Sequence, residues 1–138
     1  MKYDEFMNKP LRIKRRIQHQ ASDVAFKMEI CMKTTTHFGE KVQASQDNST
    51  EKCLHTYIDA KAELESLLDE YRLAEETVKS FLYDNLDFED ADLLEWRYID
   101  NKPLSDIADL LGIAYQTCKN KMHDAEKIAK DKFSTRKY

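Results

Sequence analysis

Residues 93–128 read LLEWRYIDNKPLSDIADLLGIAYQTCKNKMHDAEKI, and their spacing decides the fold. Asn101-Lys102-Pro103 breaks a helical pattern, because proline has no N–H to donate and disfavours helix at the residue before it. The apolar residues that follow, Leu104, Ile107, Ala108, Leu110 and Leu111, fit a short helix over about 103–111. Gly112 supplies the turn, since a residue that ends a helix in the left-handed region is usually glycine. A last helix is predicted over about 114–131. Upstream, Asp87 is placed as the cap of a helix over about 88–99, with Asp90 three residues on and acidic groups favourable near the helix N-terminus. The result is three helices with a short one in the middle, the second and third forming a helix-turn-helix. Its predicted core is Ile107, Ala108 and Leu111 before the turn, Ile113 within it, and Cys118, Met122, Ala125 and Ala129 after it.

With Cys118, Met122 and Ala125 inward, the last helix turns Tyr115, Gln116, Lys119, Asn120 and His123 outward. These side chains suit the reading of DNA. Amides pair with adenine edges, lysine reaches guanine acceptors, and Thr117 or Tyr115 touches phosphate or a thymine methyl. A recognition helix presents its N-terminal residues to base edges in the major groove. The candidate DNA-contacting set is therefore Tyr115, Gln116, Thr117, Lys119, Asn120, Lys121 and His123.

The residues that carry this pattern are Leu93-Leu94-Glu95-Trp96-Arg97-Tyr98-Ile99, Ile107-Ala108-Asp109-Leu110-Leu111-Gly112-Ile113, and Thr117 through Ala125. Together they resemble the region-four helix-turn-helix of bacterial sigma factors. The whole-chain layout is similar to small phage-encoded regulators of the ArpU and RinA type from Gram-positive hosts, as is Lys41-Val42-Gln43-Ala44-Ser45. The resemblance implies double-stranded DNA as partner, transcription regulation at late or packaging gene promoters, a contact with RNA polymerase, and the cytoplasm of a bacterial host. This chain departs from the family pattern in two ways. Ala114 stands where a Ser or Thr usually caps the recognition helix, a loss of ~1 kcal/mol. The recognition helix also has no arginine, and it carries Asp124 and Glu126. Affinity would then rest on Lys119, Lys121, Lys127, Lys130 and the basic run Lys9, Arg12, Lys14, Arg15 and Arg16. Two alternatives stay open: a small-terminase-like DNA-packaging protein, and a protein-interaction module that inhibits a host factor without binding DNA.

Ahead of this domain (86–132, with a tail at 133–138), residues 1–85 are predicted to form a helical hairpin or oligomerisation segment. A first helix starts near Asn8, with Pro10 in its first turn, and buries Ile13, Ile17, Ala21, Val24, Met28 and Cys31. A polar loop over 34–50, with Gly39, ends in capping candidates Asn48, Ser49 and Thr50. A second helix over about 51–85 carries the clearest periodicity. Tyr57, Leu64, Tyr71 and Val78 are seven apart, and Ala60, Leu67, Ala74 and Phe81 fall three residues after each. Such a helix, ~50 Å long, must cover its seam with the first helix, a second copy of the chain, or both. The predicted class is all-α, a long coiled-coil-like hairpin followed by three helices.

Composition agrees and excludes much else. Of 138 residues, only two are glycine and two proline, which argues against sandwiches, barrels and glycine-rich nucleotide loops. Charged residues are 35% against 41% hydrophobic, and no stretch approaches the ~20 apolar residues of a membrane span. The net charge of −4 conceals +3 over residues 1–50, −10 over 51–100 and +3 over 101–138. Three scattered cysteines suggest no disulfide framework. Cys53-Leu54-His55 lacks a second ligand pair, and the acidic run Asp84 to Asp92 lacks a calcium loop's glycine and spacing, so neither metal nor cofactor is expected. With no nucleophile elbow, phosphate loop or zinc-protease helix, no enzyme is expected. Arg97 is read as pairing with Asp106 or touching phosphate, and Trp96 as core.

Overall fold

A computed structural model describes the backbone of residues 1–37 and 44–135 and the side chains of 1–33 and 51–135. The described residues are all-α. Five helices follow one another: α1 Tyr3–His37, α2 Ala44–Asn85, α3 Phe88–Tyr98, α4 Leu104–Leu111 and α5 Tyr115–Thr135. Among the described residues, no helix is long and apolar enough to cross a membrane. The chain divides into two compact units, one of Met1–Arg12 with Tyr71–Tyr138 and the other of Ile13–Glu70. The division therefore falls inside α1 and α2, whereas the sequence placed the boundary at 85/86.

In the first unit, Leu94 and Ile107 are fully buried in a core that also takes Met7, Val78, Leu82, Cys118 and Ala125. The opening turns of α1 belong to this core, which is why α1 starts at Tyr3 and not near Asn8. Tyr3 meets Phe133 edge to face at a centroid distance of 5.9 Å, and Phe6 meets Phe133 tilted at 5.2 Å and Phe81 edge to face at 5.5 Å. Pro10 accordingly lies inside the helix and is fully buried. Having no N–H, proline cannot donate within the helix, and its ring is packed in the core instead. The same aromatic cluster extends α5. Phe133, which the sequence places in the tail, is helical and packed against Tyr3, Phe6 and Phe81.

In the second unit, α1 and α2 lie side by side. The Gln20 side-chain amide donates to the Ala60 carbonyl at 2.8 Å, and Cys31 is disulfide-bonded to Cys53 across a Cα separation of 5.6 Å. That bond corrects the expectation of unpaired cysteines, and the separation lies in the range a disulfide requires. On α2 the seam is as the heptads predicted, with Ala60 and Leu67 buried and Tyr57 and Leu64 half-buried. On α1 the covered residues are Ile13, Ile17, Gln20, Val24, Lys27 and Cys31, while Ala21 and Met28 are exposed. The seam follows a 3.5-residue period, which puts polar Gln20 and Lys27 where apolar neighbours were expected. Gln20 satisfies its amide on Ala60, and Lys27 reaches Asp23 at 2.9 Å.

Both helices run further than the polar loop at 34–50 allowed. α1 continues to His37 and α2 begins at Ala44, so Asn48, Ser49 and Thr50 are helical rather than caps. Gly39 and residues 41–43 of the family-like segment lie outside the described residues.

Candidate nucleic-acid interface

Three short breaks in the helical path position α3, α4 and α5. Asp87 occupies the cap position of α3 with extended backbone (φ −62°, ψ 153°), although its side chain makes no cap hydrogen bond. After α3, Asn101 takes a positive φ of 53° and Pro103 caps α4. Asparagine is among the few non-glycine residues that tolerate this region. Gly112 then ends α4 in the left-handed conformation, φ 65° and ψ 35°, and the Ile113 N–H donates to the Ala108 carbonyl at 3.1 Å. The turn from Gly112 to Ala114 leads directly into α5. Ala114 accepts the Cys118 N–H at 3.0 Å through its carbonyl, but its methyl offers no capping oxygen.

The inner side of this arrangement is close to the predicted one. Ile107, Ala108, Cys118, Met122, Ala125 and Ala129 are buried, and Ile113 packs against them half-buried. Leu111 is the exception, 40% exposed. It sits in the last turn of α4, and half-buried Leu104 at the helix start covers the core with Ile107 and Ala108 instead. Two polar ties hold α5. The Tyr98 hydroxyl donates to Glu126, and the Cys118 thiol points at the Leu104 carbonyl, 3.7 Å away. Burial, then Glu126, push the Tyr98 phenol well above its ordinary pKa, so it stays a donor. Glu126 is thereby engaged with α3.

All seven candidate residues, Tyr115, Gln116, Thr117, Lys119, Asn120, Lys121 and His123, are exposed. They do not form one cluster. At 100° per residue, Gln116, Asn120 and His123 share the outward face opposite Cys118 and Met122. Tyr115 and Lys119 flank that face on one side, Thr117 and Lys121 on the other. The Gln116 amide donates to Asn120 Oδ1 at 3.2 Å, so the two amides lie as a pair along the helix. Lys127 continues the outward face, whereas Lys130 extends the Lys119 side and stands 5.8 Å from the Tyr3 ring.

Lys121 points elsewhere. It lines a cleft between α3 and the start of α5 with Glu89, Asp90, Asp124, Trp96 and Ile113. Burial, then Asp87, Glu89 and Asp124, raise the Asp90 carboxyl above its ordinary pKa, and Lys121 opposes them. Trp96 is half-buried against the core, as expected. Arg97 pairs neither with Asp106 nor with any other carboxylate among the described residues; its guanidinium stands 6.0 Å from the Tyr98 ring.

On the far side of α3, a second polar network went unread in the sequence. The Tyr83 hydroxyl lies 2.5 Å from Asp92 and 2.7 Å from Glu95, and Lys79 reaches Glu75 at 2.8 Å and Glu95 at 3.4 Å. Burial first, then these carboxylates, hold the Tyr83 phenol protonated. The network locks α3 to the end of α2. Its only sequence signal was a tyrosine nine and twelve residues before two acids, which marks no motif. Among the described residues, no group of three or more His, Cys, Asp or Glu is arranged to hold a metal ion.

No protein-family model matches the chain, and comparison with curated proteins and with solved structures finds no similar protein.

Proposed function

We propose that the protein is a sequence-specific double-stranded DNA-binding regulator in which α4 and α5 act as a helix-turn-helix and α5 enters the major groove. The observation that carries this reading is the outward face of α5. Gln116, Asn120 and His123 stand exposed in its first turns, the glutamine and asparagine are paired, and Lys119 and Lys127 lie alongside. Amide side chains read adenine edges, and lysines neutralise phosphate. The function is one of binding, not catalysis, and the resemblance to sigma region four and to phage regulators supports transcription control, with RNA polymerase as a further partner.

The test is selection of bound duplexes from a random DNA pool at two salt concentrations. An enriched motif that persists at higher salt is expected. Gln116→Ala and Lys119→Ala should each weaken binding to that motif by 1–3 kcal/mol, on the order of five- to 150-fold, with helical content unchanged. Full-strength binding by both variants would mean that α5 is not the reading element.

A second reading, a protein-interaction module, is favoured by the acidic cleft at Asp90 and Asp124 and by exposed Leu111 in its lining. Absence of any enriched duplex, together with capture of one host protein lost on Asp90→Lys, would favour it.

A further inference from the structure

The Ile13–Glu70 unit is a single layer of two helices, and only one side of each can be covered within it. On the heptad frame set by the buried residues, Met28 and Met32 of α1 lie on the same side of the hairpin as Leu54, Ile58 and Leu68 of α2. All five are exposed, from 43% for Leu68 to 61% for Met32. Ala21 and Ala25 continue the surface along α1 without projecting from it. The opposite side is mostly polar, with Arg16, Asp23, Asp59, Glu63 and Glu70, and has Phe26 and Ile30 toward one end. An apolar face of this kind, on one side of a two-helix layer, requires a second layer.

Charge identifies what that layer is. On that side of the hairpin, by the same heptad frame, α1 carries Lys14 and no acid. The same side of α2 carries Glu51 and Glu65 against Lys61, a net −1. A basic and an acidic helix side by side are self-complementary under a two-fold axis parallel to them. That rotation lays α1 of each copy over α2 of the other, basic over acidic twice. It also brings Met28 and Met32 over the partner copy's equivalents of Leu54 and Ile58, since the Cys31–Cys53 bond sets these four at similar height along the hairpin. A two-fold axis across the helices would instead place α1 on α1 and α2 on α2, like charge on like.

We infer that a second copy of this chain docks on the Met28, Met32, Leu54, Ile58 and Leu68 face, completing a four-helix bundle with basic α1 over acidic α2. Nothing in this inference depends on DNA binding by α5.

Sedimentation equilibrium of the full chain in its Cys31–Cys53 disulfide-bonded form, with non-reducing gel electrophoresis to show that no intermolecular disulfide has formed, tests it. A dimer is expected whose dissociation constant rises with added salt. Ile58→Glu should weaken association at least tenfold while circular dichroism reports unchanged helix. Phe26→Glu, on the opposite side, should leave it intact. Lys14→Glu should weaken the dimer, and adding Glu65→Lys should restore it in part. A parent chain that is monomeric or forms a larger assembly overturns the proposal. A dimer that is broken by Phe26→Glu and not by Ile58→Glu overturns it too.

Discussion

Gly112 is where one residue governs the path of the chain. Its φ of 65° lies in the left-handed region, and a Cβ added there would meet nothing within 4 Å. The cost of Gly112→Ala is therefore conformational rather than steric, roughly 1–2 kcal/mol. Chemical denaturation should show a lower midpoint with unchanged slope; an unchanged midpoint would mean that the turn adopts another conformation. Asp90 offers a test of opposite sign. Its carboxyl is raised in the folded protein by burial and by Asp87, Glu89 and Asp124. The folded state thus holds that proton more tightly than the unfolded one. The group's contribution is most favourable below the ordinary carboxylate pKa and is lost as pH rises through the raised value. Asp90→Asn is expected to stabilise the protein at neutral pH by up to about 0.5 kcal/mol, with the gain vanishing in acid. Parallel melts at the two pH values check this, and a destabilised variant at neutral pH would contradict it. Gly112 was legible in the sequence because glycine after a helical pattern has one dominant use. The environment of Asp90 was not, since Asp124 lies 34 residues away and meets it only through the packing of α3 on α5.

At the scale of elements, legibility follows how strongly apolar spacing is constrained. α2 was readable because Ala60, Leu67, Ala74 and Phe81 repeat every seven residues and all are buried. α1 was misread in its register because apolarity favoured Ala21 and Met28. The covered positions are Gln20 and Lys27, and their polar ends find partners in Ala60 and Asp23. Such residues look like surface until the neighbouring helix is known. The Cys31–Cys53 bond was hidden for the same reason, being set by hairpin register rather than by any motif. Phe133 shows how α5 gains its last turns. The ring meets Tyr3, Phe6 and Phe81, each within 5.9 Å between centroids. Phe133→Ala should cost roughly 2–3 kcal/mol, below the 3–5 typical of a fully buried ring, because Phe133 is only half-buried. The same substitution should speed amide exchange in α5 beyond Asp131 and in α1 before Pro10. Exchange altered at only one of those ends would show that the cluster does not couple them.

The whole molecule is divided where no composition break announces it. α1 and α2 pass without glycine or serine-rich linkers from the Ile13–Glu70 unit into the unit that holds α3, α4 and α5. Continuous helices carry no boundary signal, and for that reason the sequence placed the domain edge at the end of α2. Charge, by contrast, was legible only in bulk. The −10 of residues 51–100 predicted an acidic middle, but the structure resolves which lysines escape it. Lys121 lines the cleft together with Asp90 of α3 and its own-helix neighbour Asp124, whereas Lys119 and Lys127 lie along the outward side of α5. On the DNA-binding reading this distinction has a measurable consequence. Each lysine that neutralises a phosphate releases counterions and steepens the fall of log Kobs with log salt by ~0.9. Lys127→Ala and Lys119→Ala should therefore each flatten that slope by about one unit. Lys121→Ala should leave it nearly unchanged, because its charge is already opposed by the carboxylates around it. Titrations of the selected duplex across salt concentrations separate the three variants. Equal flattening by all three would place Lys121 on the phosphates and require α5 to sit in the groove rotated toward α3.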